Sequence, residues 1–73
     1  MNSWYVYIIE KKQQLYVGIT TDIQNRLYQH GSPALIYLEK FKYKEDARKR
    51  EKQLKGWSRY KKREFIKKST SQQ

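Results

Sequence analysis

Tyr5, Tyr7, Tyr16, Arg26, His30 and Glu51 are the side chains of this 73-residue sequence whose types and spacing could do chemistry together. Arg26 and His30 stand four residues apart, one turn of a helix, and Tyr5 and Tyr7 alternate along an aromatic, β-branched run. Hydrolysis of a phosphodiester needs a base for water, a cation to grip the phosphate and a metal to offset developing charge. Arginine suits the phosphate through its forked donors. A single carboxylate is enough for a Mg²⁺ that keeps several of its waters. Tyrosine, with an unperturbed pKa of about 10, is a weak base unless positive charge lies near it. The same residues have plainer uses: strand tyrosines pack, a histidine after a helix caps it, and a carboxylate pairs with a neighbouring base. Other sites are excluded. One histidine and no cysteine rule out the usual zinc ligand sets. There is also no glycine-rich phosphate loop and no Ser-His-Asp spacing.

These residues depend on a small set of elements for their placement. Trp4-Tyr5-Val6-Tyr7-Ile8-Ile9 reads as a strand, with Tyr5, Tyr7 and Ile9 on one face and Trp4, Val6 and Ile8 on the other. The polar stretch Glu10 to Gln14 serves as a hairpin loop, and Leu15-Tyr16-Val17-Gly18-Ile19 as the returning strand. Gly18 within it marks a bulge or a close backbone approach by a ligand. Thr20-Thr21-Asp22 supplies cap chemistry for a helix from Ile23 to Gln29 or His30, ended by Gly31-Ser32-Pro33. Ala34 to Phe41 is a third strand. Lys44 to Lys55 is a helix whose apolar face holds Ala47 and Leu54, and Glu51 lies on that same face. A carboxylate aimed there needs an arginine, a metal or water-filled space, or a salt bridge to a neighbouring base. Gly56 breaks the helix, Trp57 plugs a corner of the core, and Ser58 caps a last helix from Arg59 to about Lys67. Tyr60, Phe65 and Ile66 are its apolar anchors. Residues 1–68 thus read as one α+β domain, and 69–73 as a disordered polar tail.

Charge narrows the partner. Lysines and arginines number 17 against 7 acids, a formal net charge of +10. Residues 1–39 balance three bases with three acids, while residues 40–68 carry fourteen bases against four acids. This one-sided excess points to a polyanion, with nucleic acid first and a merely solvated surface as the bland alternative. No clean apolar stripe accompanies the bases, which argues against a membrane surface. The longest apolar run, Trp4 to Ile9, is far short of the roughly 20 residues of a membrane span. Without cysteine or a leader pattern, the cytoplasm is the expected location.

The ordered segments WYVYII, LYVGIT and TTDIQNRLYQH resemble the GIY-YIG endonuclease superfamily, named for its two strand motifs. The first motif here is Tyr5-Val6-Tyr7 and the second Tyr16-Val17-Gly18. The later EDARKREKQLKGWSRYKKREFI is similar to the C-terminal half of the small stand-alone bacterial members, so the resemblance covers about Trp4 to Ile66. It implies a three-stranded antiparallel sheet flanked by about three helices. It further implies catalytic roles for Tyr7, Tyr16, Arg26, His30 and Glu51. One tyrosine would deprotonate water, Arg26 would bind phosphate, His30 would sit near the attacking or leaving group, and Glu51 would hold a single Mg²⁺ or Mn²⁺. Gly18 would keep the backbone small beside the phosphate. The expected activity is cleavage of DNA rather than RNA. Two departures stand out: the link Gly31-Ser32-Pro33 lacks a dozen or so residues common in the small branch, and no asparagine follows near the C-terminus. A module that binds nucleic acid without cutting it, through Lys49, Lys52, Lys55, Arg59, Lys61, Lys62 and Arg63, is the rival reading. A subunit docking on an acidic protein is a third.

Overall fold

A computed structural model describes residues 3–31 and 33–70. The chain runs β1 (Trp4–Lys11), β2 (Gln14–Thr20), α1 (Ile23–Gln29), β3 (Ala34–Phe41), α2 (Lys44–Lys55) and α3 (Arg59–Thr70). The strands form one antiparallel sheet in the order β2-β1-β3. The most apolar strand is therefore the central one, where both faces can be covered. Val6, Ile8 and Ile9 are fully buried.

The period-2 reading of β1 holds. Val6 and Ile8 join Ala47 and Leu54 of α2 in the core, flanked by Trp4, Leu15, Val17, Ile19, Phe41, Trp57 and Ile66. On β3 both Ile36 and Tyr37 pack against this cluster, although they are adjacent in sequence. A register shift between Ile8 and Ile9 explains it, since Ile8 pairs with Tyr37 but Ile9 with Leu35. The extra residue turns two successive side chains inward. The opposite face carries Tyr5, Tyr7 and Ile9, paired across the sheet with Thr20, Gly18 and Tyr16.

The connections differ in part from the sequence reading. The hairpin loop is two residues, Lys12 and Gln13, with φ of 52° and 66°, because the strands extend to Lys11 and from Gln14. The sheet's irregularity lies on the β3 side and not at Gly18. α1 is capped by the Asp22 carboxylate, which accepts from the Asn25 amide at 3.0 Å. It closes at Gly31, whose φ of 81° is open to glycine at little cost. Ser58 Oγ accepts from the Lys61 amide as expected, but α3 continues to Thr70. Residues 71–73, the rest of the expected tail, lie outside the described residues. Tyr60 does not anchor α3: its side chain is exposed. Trp57 and Tyr37 instead meet the Phe65 ring edge-on, at 5.3 Å and 5.0 Å between centroids. Among the described residues, no helix is long and apolar enough to cross a membrane.

Candidate active site

Tyr7 is the centre around which the expected residues gather. It is only 5% exposed, and its phenol lies across Gly18, its register partner. A Cβ at position 18 would stand 2.4 Å from the Tyr7 hydroxyl oxygen. The close approach expected at Gly18 is thus real, but the visitor is the Tyr7 ring. The His30 ring sits 6.5 Å away, centroid to centroid, tilted by 60°. Helix α1 places it: the His30 amide donates to the Arg26 carbonyl at 3.2 Å, so both residues follow from one capped turn.

Electrostatics tie Tyr7 to two further elements. Burial is the largest influence and raises its pKa above the usual value of 10. The Arg26 guanidinium then lowers it, the Glu51 carboxylate raises it and the Lys55 ammonium lowers it. Arg26, Glu51 and Lys55 therefore all bear on one hydroxyl. With its pKa raised, the phenol keeps its proton at neutral pH and acts as a donor unless positive charge is added.

Glu51 occupies the position its helical spacing dictates, between the buried Ala47 and Leu54, with 20% of its side chain exposed. Its Oε2 pairs with Lys55 Nζ at 3.1 Å. The neighbouring base anticipated from the sequence is therefore present, and it lies within the site. Tyr16 is peripheral. It is 44% exposed and donates to Gln14 Oε1 at 3.0 Å. With His30, Lys11 and Lys12 it lines a recess of ≈ 280 Å³. Tyr5 pairs with Thr20 at the far end of the hairpin.

The seven bases expected to bind nucleic acid divide by environment. Lys49, Lys52 and Lys55 line a hollow of ≈ 460 Å³ with Glu51 and Arg48. Arg59 and Lys62 border a second hollow beside Gln14 and Leu15. Lys61 lies 4.6 Å from the centroid of the Trp57 ring. Arg63 pairs with Glu10 at 3.0 Å, and both Arg59 and Arg63 donate to the Gln13 carbonyl. Arg48, Lys11 and Lys12 belong to the site's surroundings and were not singled out. Arg48 lies one turn before Glu51, a spacing that could have found it. Nothing local marks the lysine pair.

A divalent cation fits this donor set in one way only. Among the described residues no three His, Asp or Glu side chains cluster. An ion that keeps most of its waters needs one carboxylate and the substrate's phosphate. Glu51 would supply the carboxylate, and its present partner Lys55 is 57% exposed. An i,i+4 pair of that exposure is worth about 0.3–0.5 kcal/mol.

Comparison with known proteins places this geometry in a family. The family model of the GIY-YIG catalytic domain matches residues 3–34. A UPF0213 protein of Staphylococcus saprophyticus is 34% identical over 79 aligned positions, which cover 90% of this chain and 96% of that protein. Those positions take in about 66 residues of this chain, so about thirteen of the relative's face a gap. A UPF0213 protein of Haloquadratum walsbyi is 31% identical, covering 96% of this chain and 94% of its own length. The solution structure of a UPF0213 protein from Bacillus halodurans superposes with a TM-score of 0.67 at 32% identity, over 89% of this chain and 83% of that one. It shares the three-stranded antiparallel sheet with three helices. The chain belongs to the UPF0213 family, small proteins built on a GIY-YIG nuclease-like domain.

Proposed function

We propose that the protein hydrolyses phosphodiester bonds in DNA, with one Mg²⁺ or Mn²⁺ held by Glu51. The observation that carries this reading is that the charges of Arg26 and Glu51 both act on the Tyr7 phenol, whose ring lies 6.5 Å from that of His30. Arg26 holds the scissile phosphate through its forked donors and steadies its charge as the phosphorus is attacked. Tyr7, as its phenolate, holds the attacking water and takes its proton as the water oxygen bonds to phosphorus and the 3′-oxygen leaves, taking a proton from solvent. When bound, the cation supplies positive charge beside the phosphate and cancels the upward push of Glu51 on the phenol. His30, against the Tyr7 ring, orients the phenol and offers a hydrogen bond to the phosphate oxygens. A basic, cysteine-free chain suits the cytoplasm, where DNA is met.

The test is incubation of the purified protein with plasmid and oligonucleotide DNA in Mg²⁺ or Mn²⁺. Cleavage is expected, lost by about 10²-fold or more in Tyr7→Phe, Arg26→Ala and Glu51→Gln, and abolished by chelation. Because burial raises the Tyr7 pKa, the phenolate grows with pH, so the rate should climb from neutral into the alkaline range. Cutting that survives intact in Glu51→Gln would sink the metal role. One observation favours the non-cutting module instead: Glu51 already has a cationic partner in Lys55. That reading predicts DNA affinity without cleavage under any metal, with Glu51→Gln leaving affinity intact.

A further inference from the structure

That reading uses only His30 of the residues in the recess beside the hairpin tip. β1 and β2 turn through Lys12 and Gln13 alone, both in the left-handed region. Asn-Gly is the usual choice for such a turn, because both central residues need positive φ. Neither lysine nor glutamine favours it, so something else must hold the backbone there. Helix α3 does so. Arg59 and Arg63 both donate to the Gln13 carbonyl, Arg63 at 3.4 Å, and Arg63 also grips Glu10 at 3.0 Å.

Held in this way, Lys11 and Lys12 face the ≈ 280 Å³ recess with Tyr16 and His30. Among the described residues no carboxylate lines it. Neither lysine belongs to any of the ion pairs found among the described residues. Two ammonium groups and an imidazole around an open space are donors awaiting an acceptor, beside the Tyr16 phenol, which donates to Gln14 Oε1. They suit an anion bound for its charge and oxygens, as backbone phosphates are. His30 belongs both to this recess and to the Tyr7 cluster. A strand with its scissile phosphate at Arg26 and Tyr7 therefore brings a neighbouring phosphate to the recess.

We propose that Lys11 and Lys12, with Tyr16 and His30, form a subsite for the backbone phosphate next to the scissile one. This deepens the nuclease reading and takes the position of the scissile phosphate from it. The ligand is an internal phosphodiester of a DNA strand, gripped without regard to base. The staple from α3 to Gln13 keeps the two ammonium groups in place before substrate arrives, so the subsite is formed in advance.

The experiment measures binding of a short DNA oligonucleotide to the full chain in chelator, where nothing is cut. The variants are Lys11→Gln and Lys12→Asn, the latter chosen because asparagine accepts a left-handed backbone. The slope of log K against log salt should fall by about 0.7–0.9 for each lysine removed. Lys42→Gln takes away the same charge from outside the recess, where Lys42 lies over the Tyr43 ring, and should leave the slope unchanged. A single methylphosphonate should weaken wild-type binding most at one position beside the scissile phosphate. That penalty should vanish in the double variant, and a 5′-terminal phosphate should not restore it. Slopes equal to wild type, or a penalty that persists in the double variant, overturn the subsite. If DNA is then still cut in Mg²⁺, the nuclease reading survives alone. Falling slopes without any cleavage leave the phosphate site standing and remove the nuclease. An absence of DNA binding at low salt overturns both.

Discussion

Tyr7 and Gly18 face each other across β1 and β2, and the space above Gly18 belongs to the phenol. Gly18→Ala must push the hydroxyl away from Arg26 and Glu51, because the new methyl would overlap both the oxygen and the ring carbon bearing it. We expect a loss of about 1–3 kcal/mol in stability from overpacking, with DNA cleavage falling at least tenfold. Thermal melting and a cleavage assay read the two effects separately, and an alanine variant that melts and cuts like wild type would contradict this account. The faces of Tyr7 and Glu51 and the one-turn spacing of Arg26 and His30 were legible from strand and helix periods, while their roles came only from the resemblance to the GIY-YIG superfamily. The partner of Glu51 was not legible, since of the bases at positions 48, 49, 50, 52 and 55 helical spacing leaves both Arg48 and Lys55. Nor was the inward role of Arg50. Its guanidinium bonds Glu39 at 3.1 Å and lies near both the Trp57 and Phe65 rings. Tyr37 donates to the same carboxylate at 2.9 Å. Tyr60 was misread because α3 has too few apolar residues for a clear stripe.

Among the elements, β3 and α2 begin and end where their composition indicates. The β1–β2 turn does not announce itself. Lys12-Gln13 carries no turn signature, and the arginines that hold it come 46 and 50 residues later. Gln13→Gly should relieve the left-handed strain while leaving the carbonyl for Arg59 and Arg63. The expected gain is about 0.5–1 kcal/mol, or a rise in melting temperature of roughly 2–8 °C for a domain of this size. An unchanged or lower melting temperature would show that α3 has already absorbed the strain. The bulge in β3 was hidden for a related reason. Ile36 and Tyr37 look like alternating strand residues until β1 is laid beside them.

At the scale of the molecule, the count of +10 overstates the cations open to a partner. Arg50, Arg59 and Arg63 hold the protein's own carboxylates and carbonyls. The bases that remain around Glu51, together with Lys11 and Lys12, lie next to residues of the Tyr7 cluster. The N-terminal half balances its own charge, yet its turn lysines border the site as the later bases do. This even sharing was invisible in the charge tally.

The reach of Arg59 and Arg63 back to Gln13 also sets an order of events as the chain is made. Contacts closed over long spans form late, because the loop entropy must be overcome before they give any return. Both family motifs are present once the ribosome has released residue 18, but the hairpin tip waits for the last helix. A nascent or truncated chain ending before Arg59 would thus carry the motif strands with a loose tip. Hydrogen exchange should show it, with the Gln14 amide of such a chain exchanging far faster than in the whole protein while the centre of β1 is less affected. Equal protection in both chains would mean that the strands fix the turn unaided.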